Sequence, residues 1–295
     1  MANTAFSDHE FLTVRELAEL LRLKERKIYD LAASGEVPCS RATGKLLFPA
    51  REIRAWIESA KSGGTVANPA RPPIFLGSHD PLLDWAIRDS RCGLATYFDG
   101  SLDGLERFTR GEGVACGLHV HDPASGTWNV TAVSRAAAGQ NAVLVTFSRR
   151  MRGLVFRPDG PAPASLADVA GLRLAPRQAE SGTSGLFRDL AAQAGLDLAD
   201  VPLAPVARTE DDAVESVRRG TADVAFGLEA VARAYGLDFL PLMDEEFALL
   251  VDRKAWFDPA LQTLLGFLRG ENFAARAAAL GGYALNAPGT VLWNG

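Results

Sequence analysis

Residues 177–185 have the side-chain types of an anion-binding site at the start of a helix. They read Arg-Gln-Ala-Glu-Ser-Gly-Thr-Ser-Gly, after a strand-like run at 171–175 and before a helical run at 186–194. Small and hydroxyl residues at a helix start leave backbone N–H groups free, and the helix dipole adds partial positive charge there. We therefore expect a small oxyanion or carboxylate to contact five residues: Arg177, Ser181, Gly182, Thr183 and Ser184.

A second strand-to-helix junction of this kind lies earlier in the chain, where Phe-Leu-Gly-Ser-His-Asp-Pro occupies 75–81. Pro81 suits the first turn of a helix. Ser78, His79 and Asp80 offer hydroxyl, imidazole and carboxylate groups at the bend. If the two junctions lie on different lobes, the ligand binds in the cleft between them.

Two further positions are candidates for the same cleft. His119 belongs to a His-Val-His-Asp run at 119–122, which we interpret as structural or ligand-contacting, because on a strand His119 and His121 point the same way and no third metal ligand is evident. Glu229 follows Phe-Gly-Leu and either lines the cleft or caps the next helix. The alternatives at the first junction are that Arg177 only pairs with a carboxylate and that the hydroxyl residues are plain helix caps.

Catalytic patterns are missing from the sequence. The run at 182–185 lacks the Gly-x-Ser-x-Gly spacing of a nucleophile elbow, and neither a Walker loop nor a paired-glycine dinucleotide fingerprint occurs. We therefore expect no enzyme, no cofactor and no metal.

Composition and charge place limits on partners and compartment. The 295 residues carry a formal net charge of -5, with 47% hydrophobic and 23% charged residues, as is ordinary for a globular protein. Three scattered cysteines, a start without a signal-peptide pattern and the lack of a long apolar run predict a cytoplasmic chain outside the membrane. Residues 1–62 hold ten Lys and Arg against nine Asp and Glu, so any nucleic-acid contact must rest on a local patch.

Residues 10–60 have the pattern of a winged helix-turn-helix. Thr13 and Glu16 form a capping box before a helix at 14–21, a tight turn leads to a second helix at 25–33, and a third helix begins at Pro49. Between the last two helices, runs at 37–41 and 46–48 predict a hairpin wing. The second helix and the wing carry the candidate DNA contacts, unless the cations merely form a solvated face: Lys24, Arg26, Lys27, Tyr29, Arg41, Thr43 and Lys45.

This module resembles the excisionase/MerR-like helix-turn-helix family. The resemblance runs through residues 12–38, the Gly-Lys-Leu-Leu-Phe-Pro run at 44–49 and the closing Ile-Arg-Ala-Trp-Ile at 53–57. It implies binding to double-stranded DNA. Glu25 and Asp30 stand where that family often carries basic residues. A module with a net charge of about +1 binds weakly alone, so we expect a homodimer.

A Gly-, Ser- and Pro-rich linker occupies 61–72, and from Ile74 onward short apolar strands alternate with helices. Such alternation is typical of α/β layers. Residues 73–295 resemble the periplasmic-binding-protein-like domain of bacterial regulators, whose relatives include molybdate- and tungstate-binding proteins. The motifs are Gly-Ser-His-Asp-Pro at 77–81, Leu-His-Val-His-Asp at 118–122, Arg-Met-Arg-Gly-Leu-Val-Phe at 150–156, the Arg-to-Thr run at 177–183, and the runs at 213–229 and 237–242.

The resemblance implies a type II arrangement of two lobes that close on a ligand by hinge motion. Lobe I would hold about 73–146 and 241–295, and lobe II about 158–240, with crossings near 145–148 and 240–243. Glu180 replaces a glycine and Ser184 an arginine of the family pattern, which makes the cleft less positive. We expect a DNA-binding regulator with a molybdate- or tungstate-like effector. The alternatives are a small organic acid or other metabolite, and a domain that has lost its ligand and only dimerises.

Overall fold

The computed structural model describes residues 10–41, 44–59, 70–179, 181–285 and 287–295. The chain forms two compact units, residues 1–70 and residues 71–295. Thr43 and Glu180 lie outside the described residues, as does most of the predicted linker. No helix in the described part of the chain is both long and apolar enough to span a membrane.

The described part of the first unit consists of three helices and a two-stranded sheet: β1 (Phe11–Thr13), α1 (Val14–Leu21), α2 (Glu25–Ala33), β2 (Leu47–Pro49) and α3 (Ala50–Ser59). Thr13 caps α1 in the predicted capping box, in which its hydroxyl accepts from Glu16 N and the Glu16 carboxylate accepts from Thr13 N. Leu17, Ile28 and Phe48 are fully buried in the shared core of this unit.

The predicted wing differs from the structure. β2 pairs antiparallel with β1, which the sequence pattern did not predict. The partner expected for it, residues 37–41, contributes only a single bridge in which Ser40 and Leu47 exchange two backbone hydrogen bonds. Pro49 ends β2, and α3 begins one residue later than predicted.

The second unit is built on one nine-stranded sheet with helices packed against it. Its strands run in the order β4, β3, β5, β11, β8, β10, β9, with β12 and β13 also paired to β8. The elements of the first lobe are β3 (Ile74–Gly77), α4 (Pro81–Asp89), β4 (Ala95–Phe98), α5 (Ser101–Thr109), β5 (Ala115–Leu118), β6 (His121–Asp122), β7 (Thr127–Trp128) and α6 (Val130–Ala136), with the first part of β8 (Ala142–Phe156). Those of the second lobe are the rest of β8, β9 (Leu174–Ala175), α7 (Gly182–Gln193), α8 (Glu210–Arg218), β10 (Val224–Leu228) and α9 (Glu229–Ala234), with the first part of β11 (Asp238–Asp252). The chain then returns to lobe I through the end of β11, α10 (Pro259–Phe267), α11 (Glu271–Leu280), β12 (Tyr283–Ala284) and β13 (Val291–Asn294).

Two long antiparallel strands, β8 and β11, belong to both lobes. Residues 248–251 of β11 pair with β5 in lobe I, whereas residues 152–156 of β8 pair with β10 in lobe II. Between these ends β8 and β11 pair with each other, with a register shift at Phe247 and Ala248. The two-lobed α/β fold predicted from the sequence is confirmed, while the exact lobe limits stay a prediction.

Candidate functional sites

A polar cavity of about 30 Å³ lies between the two lobes. Lobe I lines it with Ser78, His79, Phe98, Asp99, Gly100 and His119, and lobe II with Arg177, Ser181, Thr183, Arg208, Thr209 and Glu210. Both junctions singled out in the sequence therefore border one cleft. Sequence reasoning missed half of this lining, because residues 98–100 and 208–210 carry no motif of their own.

Four helices begin at this cavity. Gly100, Ser181 and Thr209 are the N-cap residues of α5, α7 and α8, and His79 immediately precedes the N-cap of α4. Each helix start carries N–H groups that have no partner within the helix, together with the positive end of the helix dipole. No side chain among the described residues caps α5, so the N–H groups of its first turn stay available. The convergence adds the partial positive charge of the helix starts to a lining in which Arg177 and Arg208 are matched by Asp99 and Glu210.

On the lobe II wall, the carboxylate of Glu210 neutralises Arg177, the arginine that the sequence predicts to contact the ligand. Arg177 Nη1 lies 3.0 Å from Glu210 Oε1, and Thr183 Oγ1 donates to the same oxygen at 2.8 Å. Burial alone would raise the pKa of Glu210, but Arg152, Arg177 and the Thr183 hydroxyl together lower it to about 2. Glu210 is therefore ionised at neutral pH, and Arg177 does not enter the cleft as an uncompensated cation.

Arg208 is the second guanidinium on this wall. It is exposed, and no carboxylate among the described residues pairs with it. Its backbone oxygen accepts a hydrogen bond from Arg177 Nη2 at 2.9 Å. Arg208 therefore carries the free positive charge on the lobe II wall that the sequence assigned to Arg177.

The lobe I wall is organised by a pair of buried hydroxyl groups. Ser78 Oγ and Ser101 Oγ lie 2.8 Å apart, and Ser101 Oγ also accepts from His119 N at 3.1 Å. Ser78 N donates to Gly117 O, so this amide is already used within the β3–β5 region. The Ser78 hydroxyl, not its amide, is the group that remains for a ligand.

His119 is buried and neutral. Burial lowers its pKa, although Glu245, whose Oε2 lies 3.0 Å from Nδ1, acts in the opposite direction. Glu245 is itself ionised, because Arg150 and Arg152 outweigh its burial and hold its pKa well below the usual range. An ionised carboxylate only accepts hydrogen bonds, so His119 Nδ1 carries the proton and Nε2 is left as an acceptor.

His79 contributes a polar atom without a partner among the described residues. Its Nδ1 is buried and makes no hydrogen bond, while Nε2 lies 3.8 Å from Asp84 Oδ2. The ring packs edge-on against Phe98, another residue of the cavity lining. An orphaned imidazole nitrogen beside the cavity is a contact that a ligand or water can satisfy.

Beneath the cavity, buried ion pairs join the two lobes. Arg152 on β8 donates from Nε to Glu245 Oε2 at 2.7 Å and from Nη1 to Glu210 Oε1 at 3.0 Å. Arg150 donates to Glu245 and, at 2.9 Å, to Asp80 Oδ2. The chain of alternating charges runs from Asp80 in lobe I to Glu210 and Arg177 in lobe II, through the strands that cross between the lobes.

Four predicted ligand contacts do not line the cavity. Asp80 instead caps α4 by accepting from Leu83 N and pairs with Arg150 and Tyr283. Glu229 pairs with Arg233 one turn along α9. Gly182 packs against His119, where an added Cβ would lie 3.0 Å from its backbone oxygen, and Ser184 faces another cavity within lobe II.

The two histidines of the His-x-His run contact different carboxylates. β5 ends at Leu118 and β6 begins at His121, so the pair does not share the single strand assumed from the sequence. His119 meets Glu245, whereas His121 Nδ1 lies 3.7 Å from Asp189 on α7. Among the described residues no group of three His, Cys, Asp or Glu side chains is placed to hold a metal ion.

The candidate DNA contacts lie together on the exposed face of α2. Lys24 is the N-cap residue, and Arg26, Lys27 and Tyr29 are exposed on either side of the buried Ile28. Arg41 and Lys45 belong to the predicted wing and are also exposed, while Thr43, which lies between them in the sequence, is outside the described residues. These exposed residues are the candidates for the local basic patch that a near-neutral module would need, and their contact with DNA stays a prediction.

Comparison with known proteins agrees with both halves of the chain. The sequence profile of a helix-turn-helix domain matches residues 11–61, and that of a PBP superfamily domain matches residues 85–269. The uncharacterized protein YvgK of Bacillus subtilis (strain 168) is 23% identical over 300 residues, which cover 95% of this chain and 97% of that protein.

Two solved structures share the fold of the second unit. The sulfate-binding protein SubI from Mycobacterium tuberculosis H37Rv superposes with a TM-score of 0.53 at 16% identity, over 73% of this chain and 86% of that chain. A protein from Clostridium perfringens, assigned as a phosphate ABC transporter substrate-binding protein and crystallised with phosphate, gives 0.52 at 9% identity, over 72% and 98%. Because the PBP profile matches more than half of its length, the chain belongs to the PBP superfamily, and it carries a helix-turn-helix domain before that region.

Proposed function

We propose that this protein is a transcriptional regulator that binds double-stranded DNA through α2 and the wing and senses a small anion in the cleft between its lobes. The presence of a helix-turn-helix domain and a PBP superfamily domain in one chain supports separate roles in DNA binding and ligand binding. The proposal assigns no catalysis to either part. Because its target is DNA, the proposal also places the protein in the cytoplasm.

The convergence of four helix starts on one polar cavity is the observation that carries the anion proposal. The starts come from both lobes, so a bound anion would attract α4 and α5 of one lobe and α7 and α8 of the other. Ligand binding then favours closure of the cleft, since only the closed arrangement brings all four together around the anion.

Charges in the lining favour a monoanion or a protonated oxyanion. Arg177 and Arg208 are balanced by Asp99 and Glu210, and the neutral His119 keeps one nitrogen as an acceptor. A ligand with a single negative charge and a hydrogen-bond donor matches this set better than a fully ionised dianion. Molybdate and tungstate, which the sequence resemblance suggests, therefore belong in a panel with phosphate and sulfate.

A thermal-shift panel tests the ligand half of the proposal. Phosphate, sulfate, molybdate, tungstate and acetate are added to the full chain, and a ligand of the folded state raises the melting temperature with concentration. The response should vanish in Arg208→Ala and persist in Arg219→Ala, which removes an exposed arginine at the C-cap of α8 that does not line the cavity. Equal responses in the two variants would refute the cleft as the site.

We also propose that the regulator acts as a homodimer. The module supplies few cations per copy, and two copies double the phosphate contacts on DNA. Sedimentation velocity of the full chain tests this directly: a dimer supports the proposal, and a monomer that persists with operator DNA refutes it.

A further inference from the structure

Lobe II contains another cavity, of about 180 Å³, and most of the residues that line it do not line the cleft. Its walls come from β9, β10, α7 and the segment 198–203, and they are mainly apolar. Leu174, Phe187, Val201 and Phe226 form its inner surface. Among the residues that the structure describes, Arg177 and Thr183 alone border both this cavity and the cleft.

The rim of this cavity exposes large apolar side chains to solvent. Leu203 is 63% exposed and Leu198 is 38% exposed. Both line the cavity, so an occupant would cover apolar surface that water now contacts. Removing such surface from water is favourable at about 25 cal/mol per Å².

One side of the cavity is cationic. Arg188 is exposed, its Nε lies 3.4 Å from Ser184 O one turn earlier, and no carboxylate among the described residues pairs with it. The described residues that line the cavity include no acidic side chain, and Arg188 is the unpaired guanidinium among them, since Arg177 pairs with Glu210. An occupant with one negative charge would therefore meet complementary charge at this side and apolar walls elsewhere.

The volume sets the size of the apolar part. An apolar protein cavity of about 150 Å³ accommodates benzene. We propose that the lobe II cavity binds a small aromatic monocarboxylate, with its ring against Phe187 and Phe226 and its carboxylate at Arg188. An inorganic oxyanion lacks the surface to cover the walls, and a neutral ring leaves the charge of Arg188 without an anionic partner. The site does not depend on the cleft or on the regulator function.

Isothermal titration of the full chain with benzoate tests the site, with acetate and benzyl alcohol as probes that keep only the charge or only the ring. We expect benzoate to bind about tenfold more tightly than either probe. Arg188→Met should remove the preference of benzoate over benzyl alcohol. Failure of benzoate to bind, or equal binding of all three compounds, would overturn the proposal.

A matched pair of rim variants locates the binding. Leu203→Asp places a carboxylate on the rim and should weaken benzoate binding by about tenfold. Val206→Asp is the control, since Val206 is 61% exposed three residues beyond Leu203 but does not line the cavity. If both variants bind benzoate like the parent protein, the site lies elsewhere. If Leu203→Asp instead causes an oligomer to dissociate and leaves benzoate binding unchanged, the exposed rim is a protein interface and the proposal fails.

Discussion

Arg177 and Glu210 form an ion pair at the lobe II end of the buried chain of ion pairs, with Arg177 Nη1 and Glu210 Oε1 3.0 Å apart. The pair couples the cleft to the crossing strands, because Glu210 Oε1 also accepts from Arg152 on β8. A ligand anion that attracts Arg177 competes with Glu210 for it. The proposed binding of an anion in the cleft would thereby be linked to the interactions of the strands that join the lobes.

Removing the Glu210 carboxylate should destabilise the second unit strongly. Glu210→Ala leaves Arg152 buried with one partner fewer, and breaking a buried ion pair costs about 3–5 kcal/mol. Urea unfolding followed by tryptophan fluorescence measures the loss. Glu215→Ala is the control: it removes another α8 carboxylate, which pairs with the exposed Arg218 and Arg219, and should destabilise the unit much less than Glu210→Ala does. Similar losses in the two variants would contradict the buried network.

Glu210 should also set the charge preference of the cleft. Glu210→Gln retains the side-chain shape but removes the negative charge beside Arg177. We expect sulfate affinity to rise about tenfold relative to acetate, which corresponds to about 1.4 kcal/mol. Competition titrations measure the ratio. An unchanged ratio would show that Glu210 does not influence the ligand.

His119 should make the second unit less stable as the pH falls below about 6.5. Burial lowers its pKa in the folded state, so the unfolded chain binds the proton more readily. Stability is then fully present above the ordinary pKa and is lost as the pH falls toward the folded one. The free energy of unfolding, measured in urea between about pH 7 and pH 5, should decline. His119→Gln should flatten that part of the profile, and an undiminished slope would contradict the assignment.

DNA binding should depend on the exposed face of α2. Arg26→Ala and Lys27→Ala should each weaken binding to operator fragments and reduce the slope of log affinity against log salt by about 1 if they contact phosphate. Arg15→Ala is the matched control, because Arg15 is exposed on α1 and pairs with Glu19. Fluorescence anisotropy measures all three, and an equal effect of Arg15→Ala would argue against α2 as the recognition element.

Local features of the fold could be predicted from the sequence. The capping box of α1, the limits of α1 and α2 and the Pro81 start of α4 depend on neighbouring residues, and each agrees with the structure. The three-residue strand β1 was missed because so short a segment has no detectable periodicity. The predicted hairpin of the wing was wrong in its pairing. The apolar residues at 37–41 and 46–48 suggested that these two runs pair with each other, whereas Leu47 and Phe48 pair mainly with β1.

The buried charges could not be predicted from local pattern. Arg150 and Arg152 interrupt an apolar run, and such residues are usually solvent-exposed. Their partners lie far along the chain: Glu245 is 93 residues from Arg152, and Glu210 is 58 residues from it. The sequence therefore pointed to the two junctions that border the cleft, while their anion contacts stay a prediction. It favoured a free charge on Arg177 over pairing with a carboxylate, because Glu210, which pairs with Arg177, begins a different helix.

The central claim is that anion binding in the cleft changes the affinity for DNA, and one titration tests it most directly. Binding of the full chain to DNA from its own locus is measured by anisotropy with and without the anion that raises its melting temperature. The account predicts that the anion changes DNA affinity by about 5–150-fold in the parent protein and in Arg219→Ala, but not in Arg208→Ala. DNA affinity that is indifferent to the bound anion, or a response that survives in Arg208→Ala, would contradict it.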